Sequence, residues 1–181
     1  RDLHSFPTRR SSDLFPVSPN EIKANVDYKK VDWKFTVGEI ILETIPVSHP
    51  NGGIGFKFIH ENRTFVFLTD NELGYVHPGG RSFDDYVSFC KGADLLIHDA
   101  EYNENEYVYT EGWGHSTYSD AVRLALEAGV KSLGLFHHNQ ERNDIELDRL
   151  VADANFLITK AGGNLDCFAV SQEMELKLEN V

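Results

Sequence analysis

Apolar positions along this chain follow two rhythms. Between Asp32 and Asp70 they mostly alternate or run in short aromatic and β-branched stretches. Asp32–Val37 alternates polar with apolar, Gly38-Glu39 reads as a turn, and Ile40–Val47 is a second strand ending at Ser48-His49-Pro50. Gly55–Ile59 and Thr64–Thr69 form a hairpin through Glu61-Asn62-Arg63 and stop at Asp70. Beyond the Pro78-Gly79-Gly80 loop the period lengthens. Ser82–Cys90 predicts a helix, and Ala93–Asp99 a buried strand. Thr117-Tyr118-Ser119-Asp120 predicts a capping box opening a helix with Ala121, Leu124, Ala125 and Ala128 on one face and Gly129 as its stop. Lys131–Phe136 is a strand, Asn143 opens a helix that runs to Gly162-Gly163, and Cys167–Val170 is a last short strand. Residues 15–30 read as a connector or short helix.

Antiparallel β followed by alternating β and α predicts an α/β chain, a mixed β-sheet with helices on one face. No glycine fingerprint for phosphate follows a strand, so a nucleotide-dependent oxidoreductase has no support.

Composition narrows the partners. The 181 residues suit one domain, and 41% hydrophobic content supplies a core. A formal net charge of -12 argues against a broad nucleic-acid or anionic-membrane grip, and no apolar run approaches a membrane span. Two separated cysteines, Cys90 and Cys167, spell neither a disulfide framework nor a zinc module and fit a reducing, cytoplasmic setting. The chain starts at Arg1, and its only methionine is Met174. Residues 1–14, with His4-Ser5-Phe6-Pro7-Thr8-Arg9-Arg10-Ser11-Ser12-Asp13-Leu14, resemble a translated sequencing-library adapter and are set aside; residues 15–181 carry the fold.

The candidate chemistry lies at element ends. His49, Asp70, Asp99 and His137 each fall at or just past a predicted strand, and His115 precedes a helix. A rigid sheet can converge such side chains on one site. Imidazole and carboxylate are metal ligands, and a carboxylate can bridge two cations. Asp99 is placed to orient His115, as carboxylates do for histidines that move protons. Taken singly, each residue has a plainer reading: a surface histidine, an Asx turn, a cap neighbour. By alternation His137 and His138 point to opposite sides, so at most one of them should join a given site. Glu101, Glu104 and Glu106 read as a solvated acidic loop, and His60 and His77 as bystanders.

At these residues the sequence resembles the metallo-β-lactamase superfamily, in its branch of zinc phosphodiesterases and tRNA 3′-processing endonucleases. His49-Pro50-Asn51-Gly52-Gly53, Leu68-Thr69-Asp70 and Leu135-Phe136-His137 look like the third, fourth and fifth ligand motifs. His98-Asp99-Ala100-Glu101-Tyr102 and Gly114-His115-Ser116-Thr117 resemble the endonucleases' His-Glu-Ala-Thr and His-Ser-Thr stretches. Five motifs in order are specific together. The resemblance implies the C-terminal portion of an αββα sandwich and two divalent metal ions, zinc first, with manganese or iron also accepted. His49 and His137 would be metal ligands and Asp70 the bridge. A bridging hydroxide would attack phosphorus, with His115 and Asp99 completing catalysis. The expected function is a metal-dependent hydrolase acting on a small or cyclic phosphodiester. The alternatives are a tRNA 3′-processing endonuclease, disfavoured by acidity, a lactonase or thioesterase, and a non-catalytic binding module. The family's His-x-His-x-Asp-His string is absent from the sequence. The expectation is therefore an incomplete, inactive piece with apolar surface left open on the sheet, unless a homodimer completes the site.

Overall fold

The computed structural model describes residues 32–178. The adapter-like stretch and the connector at 15–30 lie outside the described residues. Four strands come first: β1 (Lys34–Val37), β2 (Ile40–Pro46), β3 (Ile54–His60) and β4 (Arg63–Leu68), each antiparallel to the next. Helix α1 (Phe83–Cys90) leads to β5 (Leu95–Asp99), a short α2 (Glu104–Tyr107) and α3 (Tyr118–Ala128). Then come β6 (Ser132–Phe136), α4 (Asp144–Lys160) and β7 (Asp166–Ala169). Strands β4 to β7 are mutually parallel, and the seven strands lie in chain order in one sheet.

Register sorts the strand residues by face. Val66 opposes Leu96, Leu96 opposes Leu133, and Leu133 opposes Cys167, so these four share one side. They join Leu68 and Leu135 in one buried cluster with Tyr86 and Cys90 of α1, Ala121, Leu124 and Ala125 of α3, and Leu150, Ala154 and Ile158 of α4. The expected helix-covered face is therefore built by α1, α3 and α4. Leu96 is fully buried there, and truncating such a leucine costs about 2–5 kcal/mol. On the other side, Phe56, Phe58, Phe65, Phe67 and Phe136 form a row of half-buried rings whose successive centroids lie 5.4 to 6.3 Å apart.

Local chemistry sets the boundaries. Ser82 and Asn143 each close a capping box with Asp85 and Glu146. At α3 the predicted box takes another form. Thr117 Oγ1 accepts from the Asp120 amide at 3.1 Å and donates to its carboxylate at 2.7 Å, so the acid reaches the cap's hydroxyl instead of its amide. Gly129 stops α3 at φ +66°, a conformation that costs glycine nothing. Helix α2 was not predicted, because four residues are too few to show a period.

Candidate metal centre

The parallel strands β4, β5 and β6 all end on one edge, and the predicted residues gather there. Asp70 lies just past β4, Asp99 ends β5, and His137 follows β6 directly. Asp70 and His137 both adopt left-handed backbone, at φ +53° and +55°. Such conformations cost a side chain about 1 kcal/mol or more and collect at functional sites. His49 arrives from the loop after β2, and His115 from the loop before α3.

All five residues converge. His49, Asp70 and His115 offer ligand atoms within 4.8 Å of one another, and Asp99, His115 and His137 do the same. The His115 and His137 rings stack at 4.4 Å, and His49 meets His115 edge-on at 5.5 Å. His137 Nε2 lies 3.5 Å from Asp70 Oδ1. Asp99, fully buried, holds His115 Nδ1 at 2.7 Å through Oδ2, while its Oδ1 accepts from the amides of Glu101 and Ser116 at 3.2 and 3.3 Å. His115 thus sits among the expected ligands as well as on its aspartate.

Three expectations need correction. Glu101 is no solvated side chain: its Oε2 lies 3.1 Å from His137 Nδ1 and 3.6 Å from His115 Nδ1. Glu106 likewise caps α2 and pairs with Arg142 at 2.7 Å. His77 is no bystander but a buried partner of Glu72 at 2.7 Å. His137 and His138 line the same cleft of about 510 Å³, with Trp113, Tyr102, Glu101 and His115. The left-handed turn at His137 ends the strand geometry on which the alternation argument depended.

Electrostatics separates the histidines. Burial and the neighbouring His115 push His49 down, which favours the neutral, metal-binding form. His115 loses to burial but gains more from its Asp99 hydrogen bond and charge and from Glu101, so it is raised. The Glu101 carboxylate, against the burial that opposes it, and the charges of Asp99 and Asp70 raise His137 to about 9.

The donor set suits a cation such as zinc, which takes imidazole and carboxylate ligands. Glu101 Oε2 and His137 Nδ1 are buried and 3.1 Å apart, at ion-pair distance, and neither has a hydrogen-bond partner. Orphaned polar atoms inside a ring of donors are what an added positive ion would satisfy.

The loops carrying these residues meet on a hub that the sequence did not announce. Asn71 Oδ1 accepts from the Ser48 amide at 2.8 Å, and the Asn71 carbonyl accepts from Ser116 Oγ at 2.6 Å. Gly114, at φ +103°, presses on His49: a Cβ there would meet His49 Cδ2 at 2.2 Å.

With this geometry in place, the comparisons are direct. The profile of the Beta-lactamase superfamily domain matches residues 8–138, starting inside the adapter-like stretch. Among curated proteins, ribonuclease Z of Brevibacillus brevis is 36% identical over 93 residues, 48% of this chain and 29% of that protein. Ribonuclease Z of Picrophilus torridus is 39% identical over 67 residues, 37% of this chain and 22% of that protein. The aligned region thus takes in under a third of either relative. A metallo-β-lactamase fold protein from Bacillus subtilis superposes with TM-score 0.58 at 20% identity, over 76% of this chain and 49% of that one. The short form of human tRNase Z gives 0.58 at 20% identity, over 81% and 46%. Sheet, helices, strand-end histidines and profile agree: the chain belongs to the β-lactamase superfamily domain family and has the metallo-β-lactamase fold.

Proposed function

We propose that this chain supplies the strand-end ligand set of a metal-dependent phosphodiesterase that cleaves RNA. One observation carries the reading: three histidines and two aspartates from five separate segments form two triads that share His115, with ligand atoms within 4.8 Å of one another in each, beside an unsatisfied carboxylate–imidazole contact. His49 and His137 would hold the ions, and Asp70, between them, would serve both. Bound divalent metals lower the pKa of water and neutralise charge developing on phosphoryl oxygens. The chain's own residues do the rest. His115, raised and held through Nδ1 by Asp99, presents Nε2 as the proton donor to the leaving oxygen. Trp113, 62% exposed on the wall of the cleft, offers a ring on which an RNA base can stack.

The RNA substrate rests on the ribonuclease Z relatives, which outweigh the acidity argument, because basic residues that hold RNA need not lie near the ligands. A small diester is the second reading. It is favoured by the net charge of -12 and by Glu101 and Glu141 in the cleft.

The test pairs zinc titration with turnover of a 3′-extended tRNA and of bis(p-nitrophenyl) phosphate. Zinc uptake should fall in His49→Ala and His137→Ala, and RNA cleavage should stop with chelator. Uptake unchanged in both variants would end the metal reading, and cleavage of the small diester alone would select the second.

A further inference from the structure

Glu72 is a fully enclosed acid near the centre, and no step of the proposed chemistry uses it. Its side chain is 0% exposed. Oε1 accepts from Tyr107 Oη and from the Gly112 amide, both at 2.7 Å. Oε2 accepts from His77 Nε2 at 2.7 Å and from the Gly114 amide at 2.8 Å. An ionised carboxylate has about four acceptor sites, and here four donors fill them. Burial raises its pKa, but those hydrogen bonds outweigh burial and hold it below the usual range.

The donors come from three separate stretches. His77 belongs to the loop after β4, Tyr107 to the end of α2, and Gly112 and Gly114 to the turn that delivers His115. The two amides bracket Trp113, and the second immediately precedes His115. On its own side, Glu72 donates its amide to the Ser48 carbonyl at 2.8 Å, next to His49. Asp70, two residues earlier, is the candidate bridge. One residue therefore touches the supports of His49, Asp70 and His115.

We infer that Glu72 is a positioning residue, which fixes His115 over the metal ligands by clamping the amides of Gly112 and Gly114. The clamp holds the backbone on the N-terminal side of His115. Asp99 orients the ring from Nδ1 and holds the Ser116 amide after it, while Glu72 holds the amides of the turn before it. A Gln in place of Glu72 keeps the volume but turns an NH₂ toward two donors. Whichever way the side-chain amide turns, one of the amides at 112 and 114 loses its acceptor and the other keeps only a neutral, weaker one, so the turn relaxes and Gly114 leaves the face of His49. The consequence for catalysis rests on the hydrolase reading; the clamp itself does not.

The experiment uses the whole chain with Glu72→Gln and the milder Tyr107→Phe, which removes one donor and leaves the carboxylate. Amide hydrogen exchange is read at Gly112 and Gly114 against Leu96 and Leu133 in the core strands. The downfield proton of the His115–Asp99 hydrogen bond is followed by NMR. In Glu72→Gln, exchange at 112 and 114 should accelerate at least tenfold with the strands unchanged, and the His115 signal should shift or vanish. Tyr107→Phe should do the same to a smaller degree. Unchanged exchange at 112 and 114 overturns the clamp. So does an unmoved His115 signal, or uniform acceleration in both variants, which marks general destabilisation. Turnover separates the two claims. If the unsubstituted chain cleaves RNA, Glu72→Gln should fall to the level of His115→Ala, and the double variant should fall no further. Additive losses overturn the positioning role. Absence of turnover in the unsubstituted chain counts against the hydrolase reading, and the exchange and NMR results still decide the clamp.

Discussion

Two carboxylate–histidine pairs in this molecule look alike by distance. His77–Glu72 and His115–Asp99 are both 2.7 Å apart, both acids are 0% exposed, and the imidazoles are 6% and 14% exposed. Their surroundings differ. Around Glu72 every acceptor site is filled by a short bond. Around Asp99 the supporting amides are longer, and the histidine opens onto the unsatisfied contact between Glu101 and His137. The lesson is that pair distance does not separate an anchoring histidine from one proposed to move a proton. What separates them is whether the polar groups beyond the pair are already satisfied.

Four measurements test that contrast. The largest effect is expected at the open pair: Asp99→Ala should cut phosphodiester turnover by on the order of 10²–10⁴-fold, since His115 loses its orientation and its charge partner. Loss of less than tenfold in a turnover assay would put Asp99 on the anchoring side. Next comes stability. Glu72→Ala strands four donors and should lower the unfolding free energy by about 3–5 kcal/mol in urea, against about 1–3 kcal/mol for Asp99→Ala. Equal costs would erase the distinction. Third, Glu101→Gln removes the charge facing His137 and should weaken zinc binding roughly 10-fold by calorimetry. Undiminished affinity would show that the orphaned contact has no part in holding a cation.

The smallest effect is a pH signature. His137 is raised from 6.5 to about 9 in the folded chain. A raised folded pKa means that protonation stabilises the fold. The contribution is complete below pH 6.5 and is lost as pH rises through about 9. The stability difference between the unsubstituted chain and His137→Ala should shrink across that window. A difference that grows with pH would reverse the assignment.

Much of this was legible in advance. Alternation at Ile40–Val47 and Thr64–Thr69, and the apolar spacing of Ala121, Leu124, Ala125 and Ala128, predicted the elements because burial on one face leaves a period. His49, Asp70, Asp99, His115 and His137 could be nominated because strand ends and motif order are sequence properties. Glu72, Glu101 and His77 could not. Their roles arise from contacts across 5 to 42 residues of chain, and an acid in a loop looks the same whether water or four donors surround it. Of His137 and His138, His137 alone offers a ligand atom to the two triads, yet both line the cleft, because a single left-handed residue cancels the two-residue period and nothing in Phe136-His137-His138 marks it.

The two left-handed site residues also bear on how this protein can change. Asp70 and His137 hold conformations that glycine or asparagine adopts more readily. Selection of a mutant library for thermal tolerance alone, above about pH 9 where His137 no longer gains from protonation, should therefore enrich Gly or Asn at positions 70 and 137. Such a library would gain melting temperature as it discarded both candidate ligands. Only screens that demand metal uptake together with heat resistance would keep them, so the backbone at these two positions records a standing conflict between folding and chemistry.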